Sequence, residues 1–186
     1  MIYPSNYTFC GNRSSEKLIK SMLKTISVSV SSLIHERDIK ALVLLGGYGK
    51  GEGGTILIDG VCHPHNNFDF LLITKNSTRM SKANITKIVM KKIKELSKRL
   101  CIGIDISFTT ESKLLAMPTR VLWYDMKEGH RTILGDKTLI PSLTHLKRNI
   151  PDWDMRDLMV NRGSLLLINK LCLQTESPNE SIKRLV

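Results

Sequence analysis

The chain has 186 residues, 41% of them hydrophobic, and a formal net charge of +11. That length suits one domain with the start of a second, and the apolar share suffices for a core. With no run of about 18 apolar residues and no apolar stretch near the N-terminus, neither a membrane-spanning helix nor a secretory signal is expected, and a cytoplasmic location is. The charge favours polyanionic partners: nucleic acid, nucleotides or an anionic surface. Cys10, Cys62, Cys101 and Cys172 are far apart and form no C-x-x-C pair, so four reduced thiols are expected.

Taken in order, Ser15 to Arg37 reads as an amphipathic helix, with Leu18, Met22, Ile26, Val30 and Leu33/Ile34 at helical spacing. Ala41 to Leu45 is a short, wholly apolar run and predicts a buried strand. The stretch from Gly46 to Gly54 holds six glycines in nine residues and predicts a loop. Thr55 to Ile58 suggests a short strand turned by Asp59 and Gly60, and Cys62 to Asn66 reads as loop. Phe68 to Thr74 predicts a second buried strand, Ser81 to Leu100 a helix, and Ile102 to Thr109 a third strand. A short helix from Glu111 to Met117, a hydrophobic segment from Val121 to Met126 and a strand from Arg131 to Leu134 follow. Pro151 precedes a long helix from Asp152 to about Leu173, whose first turns carry Asp152, Asp154 and Asp157. Ser177, Pro178 and Glu180 form a helix-start signature close to the end of the chain. A helical extension that continues beyond Val186 is therefore expected, with a first domain over 1–150 and a helical segment over 151–186.

The chemistry sits in two acids that interrupt apolar strands, Asp69 and Asp105. A carboxylate buried in a strand is costly unless cations or donors compensate it. Two of them beside a glycine-rich segment suit phosphoryl or nucleotidyl transfer, in which carboxylates hold hard cations against a polyphosphate. Glycines at 46 and 47 leave their backbone amides open to phosphate oxygens, and Lys50 adds a positive charge.

The order Gly46-Gly47-Tyr48-Gly49-Lys50-Gly51 after a strand, Asn67-Phe68-Asp69 on the next and Asp105 on a later one resembles the polymerase-β-type nucleotidyltransferase superfamily. The resemblance covers roughly residues 40 to 110. It implies an α/β (α+β) fold, a nucleotidyltransferase-like mixed sheet flanked by helices, with the start of a helical C-terminal extension. It also implies Mg²⁺ or Mn²⁺ as cofactor and a nucleoside triphosphate, ATP first among them, as substrate. Gly46, Gly47, Tyr48, Lys50 and Gly51 would surround the nucleotide. Asp69 and Asp105 would bind the metal, with Asp105 also orienting the acceptor hydroxyl, and AMP would commonly be the group transferred. The sequence departs from the pattern at Asn67, where the family places the first carboxylate of an Asp-x-Asp pair. Residues 67 and 69 share a strand face, so Asn67 would still face the metal, as a neutral ligand at best. The long interval from Gly51 to Asn67 leaves room for an extra hairpin, and Asp59 within it is a possible compensating acid. An RNA or protein acceptor is compatible with the reading, and so is an inactive nucleotide-, RNA- or protein-binding module.

Other motifs carry less. Gly49 to Gly54 matches G-x-G-x-x-G, but a strand-like segment follows where a dinucleotide site needs a helix. No P-loop lysine-serine/threonine pair stands at the required spacing. Cys62, His63 and His65 lack a second ligand group at zinc-finger spacing. Lys87, Lys91, Lys94 and Lys98 share one face of the Ser81 to Leu100 helix, either as a solvated face or as a polyanion stripe. Trp123 and Trp153 are expected in packing.

Overall fold

The computed structural model describes residues 6–58, 61–143 and 150–175. Two compact units are present among them: residues 6–117 with 125–143, and residues 118–124 with 150–175.

In the first unit, α1 (Arg13–Ser31) starts earlier than its periodicity suggests, because the Asn12 side chain caps it by accepting from the Ser14 amide at 2.9 Å. The helix stops at Ser31, and Glu36–Asp38 forms a separate 3₁₀ turn. Its buried stripe is Ile19, Leu23, Ile26 and Val30; Leu18 and Met22 lie on its half-buried flank.

Strand β1 (Ile39–Leu45) runs straight into a one-turn helix, α2 (Gly46–Lys50), where a loop was expected. Glycine raises the cost of a helix without forbidding one short turn. Here Gly51 closes the turn in the left-handed conformation (φ 87°), and Tyr48 anchors it in the core. Next, β2 (Thr55–Ile58) and β3 (Val61–Pro64) pair antiparallel, so the interval before Asn67 does hold a hairpin, and most of the predicted loop at Cys62 to Asn66 is strand.

β4 (Asn67–Thr74), α3 (Lys82–Leu100) and β5 (Gly103–Thr110) follow, with Ser81 capping α3 through the Asn84 amide. Then come α4 (Glu111–Leu115), α5 (Val121–Glu128) and β6 (Arg131–Gly135). The main sheet has the order β5-β4-β1-β6. β4 and β5 are parallel, joined through α3, and β1 is antiparallel to both β4 and β6. The fold is thus a four-stranded mixed sheet with helices, as the resemblance implied.

Alternation along β4 sorts its side chains. Phe68, Phe70 and Leu72 enter a core with Leu42 and Leu44 of β1 and the buried stripes of α1 and α3. Asn67 and Asp69 are therefore on the other face of the sheet.

The second unit is built on α6 (Asp152–Thr175). The Asp154 carboxylate accepts from the Val121 amide at 2.7 Å, and the Arg120 guanidinium lies 5.0 Å from the Trp153 ring centre. Trp153 is 44% exposed, a stacking platform for Arg120 more than a packed residue. The capping signature at Ser177 to Glu180, and Asp59, lie outside the described residues.

Candidate active site

Register brings the predicted acids together. Asp69 is the partner of Asp105 across the parallel β4–β5 pair, and of Leu45 across the β1–β4 pair. Directly paired residues present their side chains to one face, so both carboxylates stand together beside the end of β1, where the glycine stretch begins. Asp69 is half-buried and Asp105 exposed.

Asn67 sits between them. Its Nδ2 donates to Asp69 Oδ1 at 2.7 Å and to Asp105 Oδ2 at 2.6 Å. Both are short hydrogen bonds to charged acceptors, the strong kind. Burial, then the charge of Asp105, holds the Asp69 carboxyl above the ordinary carboxylate range, and the Asn67 amide offsets part of that rise. The neutral amide thus spans the two acids and partly does what a cation would do between them.

Gly46 abuts the same acid. Its φ is +62°, and a Cβ there would stand 2.5 Å from Asp69 Oδ2. Only glycine combines that conformation with that approach. The start of α2 is consequently in contact range of Asp69, with Gly47 next along the turn.

The remaining residues of the glycine stretch are placed differently. Tyr48 is buried: its ring packs edge-on against Phe68 with centroids 4.7 Å apart, and its hydroxyl sits 2.7 Å from Gly54 O and 2.6 Å from His65 O. Burial pushes its phenol up to about 12. Tyr48 fastens the turn to the hairpin and has no ring face to offer a base. Lys50 directs its ammonium to Asp125 at 2.5 Å, and its stem crosses Gly129, where a Cβ would collide with it. Gly51 is the left-handed stop of α2. The structure thus brings Asn67, Asp69, Asp105, Gly46 and Gly47 together, and gives the polar atoms of Tyr48 and Lys50 partners of their own.

Asp125 carries no signal in the sequence, since 75 residues separate it from Lys50. The N-terminal segment was also missed. Thr8 forms a bridge with Gly53, and the Gly53 amide donates to Tyr7 O at 3.0 Å. Glu16 holds that segment down by accepting from the Tyr7 and Thr8 amides, each at 2.8 Å, and from the Thr8 hydroxyl at 2.6 Å.

Whether these residues suit a metal depends on the donor set. Among the described residues no group of three His, Cys, Asp or Glu could hold one. Two adjacent carboxylates do suit Mg²⁺ when substrate phosphates complete the shell, because that ion is commonly held by one or two carboxylates plus phosphate oxygens. The pair fits a metal that arrives with a triphosphate better than a metal bound alone.

No family model matches the chain, and no curated protein matches it. Solved structures do. A toxin–antitoxin with AMP-PNP is 11% identical, with TM-score 0.39, over 80% of this chain and 98% of that one. A mutant of the toxin–antitoxin pair MntA–HpeT is 10% identical, with TM-score 0.41, over the same shares. The spectinomycin adenyltransferase AAD(9) from Enterococcus faecialis, with ATP and spectinomycin, is 13% identical, with TM-score 0.48, over 90% of this chain and 71% of that one. Likeness this remote carries no argument about activity, which has to come from the site itself.

Proposed function

We propose that this chain is a nucleotidyltransferase-like domain that binds a nucleoside triphosphate, ATP first among candidates, and transfers its nucleotidyl group to an acceptor hydroxyl in the cytoplasm, the bond between the α- and β-phosphates breaking to release pyrophosphate. The observation that carries the proposal is the convergence of Asp69 and Asp105 on one sheet face, with Gly46 packed against Asp69. Asp69 and Asp105 would hold Mg²⁺ (Mn²⁺ as a substitute) together with the phosphates. The metal, when bound, neutralises phosphate charge and favours attack by the acceptor oxygen. The amides at Gly46 and Gly47 receive phosphate oxygens, where the absence of a side chain permits close approach. Asp105, the more exposed acid, orients the acceptor hydroxyl and takes its proton. Asn67 could add only a neutral carbonyl oxygen to such a metal, and its amide would have to leave the two carboxylates that it now bonds. Lys50 acts indirectly, bracing the end of the glycine turn through Asp125. The acceptor is an RNA, a protein or a small molecule.

A second reading has an observation of its own. The Asn67 amide already bonds both carboxylates at 2.7 and 2.6 Å, which fills the position of a charged ligand with a neutral one. A hard dication prefers anionic oxygen, so the present site would bind nucleotide with little transfer, as an inactive nucleotide-, RNA- or protein-binding module. Labelled ATP separates the two. Transfer by the natural chain with Mg²⁺ supports the enzyme; transfer only by Asn67→Asp supports a binding module on an enzymatic frame. Failure of both forms to bind ATP defeats the enzyme and leaves only a module that binds RNA or protein.

A further inference from the structure

On the α1 face of the sheet, the face opposite the one that carries the two carboxylates, a cleft of about 420 Å³ opens between α1, the N-terminal segment and β6. Arg13, Lys17 and Lys20 line it from α1, and Arg131 lines it from β6. The Arg131 guanidinium lies 4.2 Å from the Tyr7 ring centre and donates to Asn6 O, which fixes its position in the cleft. One acid, Glu16, is present, and both its oxygens are committed to the Tyr7 and Thr8 donors. Among the described residues Arg13, Lys17 and Lys20 have no acidic partner. Like charges at i,i+3 and i,i+4 on a helix oppose each other, and the single charge of Glu16 offsets only part of that repulsion, so a bound anion would relieve the rest.

We propose that this cleft binds the phosphate backbone of a single-stranded nucleic acid, at a site separate from the triphosphate site. The cationic row does not end with the cavity: Lys24 continues it one turn further along α1. From Arg13 to Lys24 is eleven residues, about 16 Å of helix. An anion that meets the whole row is extended and repeats its charge. Every exposed position from 13 to 24 is cationic or serine: Arg13, Ser14, Lys17, Lys20, Ser21 and Lys24. Cations and hydroxyls are the groups that bind phosphate and sugar, whereas protein interfaces need an apolar centre and are poor in lysine. Because Arg131 covers the Tyr7 ring, stacking on bases adds little, and binding is indifferent to base sequence.

The test uses the full chain and a fluorescein-labelled single-stranded RNA of about a dozen nucleotides, by anisotropy over a range of salt. Substituting Arg13, Lys17 and Lys20 together by Ala is expected to weaken binding at least about tenfold and to reduce the slope of log affinity against log salt by about 2, at roughly 0.7 for each phosphate that is no longer neutralised. Substituting Lys91 and Lys94 of α3 by Ala should change neither. Calorimetry of Mg²⁺–ATP binding should give the same affinity for the triple variant as for the natural chain, so failure of this site and failure of the triphosphate site read out separately. Four results overturn the proposal: no RNA binding even at low salt; loss with the α3 variant and not the α1 variant; an acidic peptide bound as tightly as RNA; or pyrophosphate bound in the cleft with RNA unable to displace it.

Discussion

Asn67→Asp tests the site through stability before any chemistry is measured. The change removes two hydrogen bonds from Asn67 to charged acceptors, each worth about 1.5–3 kcal/mol. It also sets a third carboxylate beside two others, and a carboxylate pair about 4 Å apart repels by about 4 kcal/mol at an effective dielectric of ~20. Asp105 is exposed, so solvent screens much of its share. With both contributions reduced to the low end of their ranges by that screening, a net loss of at least about 3 kcal/mol without metal is the expected scale, roughly 10 °C in Tm for a domain of this size. Mg²⁺ should then act in opposite proportion. At a hundredfold excess over its Kd it returns about 2.7 kcal/mol to the variant. The natural chain, whose carboxylates are already bridged, should gain little from Mg²⁺ alone and more from Mg²⁺ with ATP. Thermal unfolding with and without millimolar Mg²⁺ decides it. A variant as stable as the natural chain in the absence of metal, or equal Mg²⁺ gains in both, refutes the reasoning.

Three further outcomes are expected. Gly46→Ala forces a side chain into φ +62° and against Asp69, at a cost of more than about 1–2 kcal/mol, and should also abolish ATP binding; denaturant titration and calorimetry check both effects. Tyr48→Phe removes the one phenolic proton shared between Gly54 O and His65 O, of which Gly54 O keeps the His65 amide as donor, and should cost about 1–3 kcal/mol, with ATP affinity changed only slightly; a large selective loss of affinity would return Tyr48 to the nucleotide. His130 is buried, and desolvation holds its imidazole below the ordinary value of about 6.5. Between the lowered folded value and about 6.5 the unfolded chain binds the proton and the folded chain does not, so stability is fully present above about 6.5 and falls as pH drops through that window. Urea unfolding from about pH 7.5 to 5 should show the slope, and His130→Gln should flatten it.

The strands that carry the chemistry were legible because they are short apolar runs, and Asp69 and Asp105 stood out as acids within them. Their meeting was implied only by the family resemblance. It follows from the register that pairs Asp69 with Asp105, which no local pattern encodes. The glycine stretch misled for a physical reason: per-residue propensity forbids a long helix there but not one turn stopped by Gly51 and anchored by Tyr48. On α1 the apolar face was read correctly at Ile26 and Val30 and one position early at Leu18 and Met22, which are apolar like Ile19 and Leu23 and which only packing separates from them. The same helix carries a second cationic flank, at Arg13, Lys17, Lys20 and Lys24, beside the exposed lysine face that the sequence showed on α3. Lys50 looked free for phosphate because Asp125, its partner, is distant in sequence. Trp153 looked like core because indole burial is the usual outcome, and Arg120 gave it another use.

A crystal of the natural chain soaked with Mn²⁺ and a non-hydrolysable ATP analogue tests the central assignment most directly. The anomalous signal should place the metal between Asp69 and Asp105, with the triphosphate over Gly46 and Gly47 and the Asn67 amide turned. Nucleotide seated elsewhere, the cleft at Arg131 included, with no metal at the two acids, would contradict it.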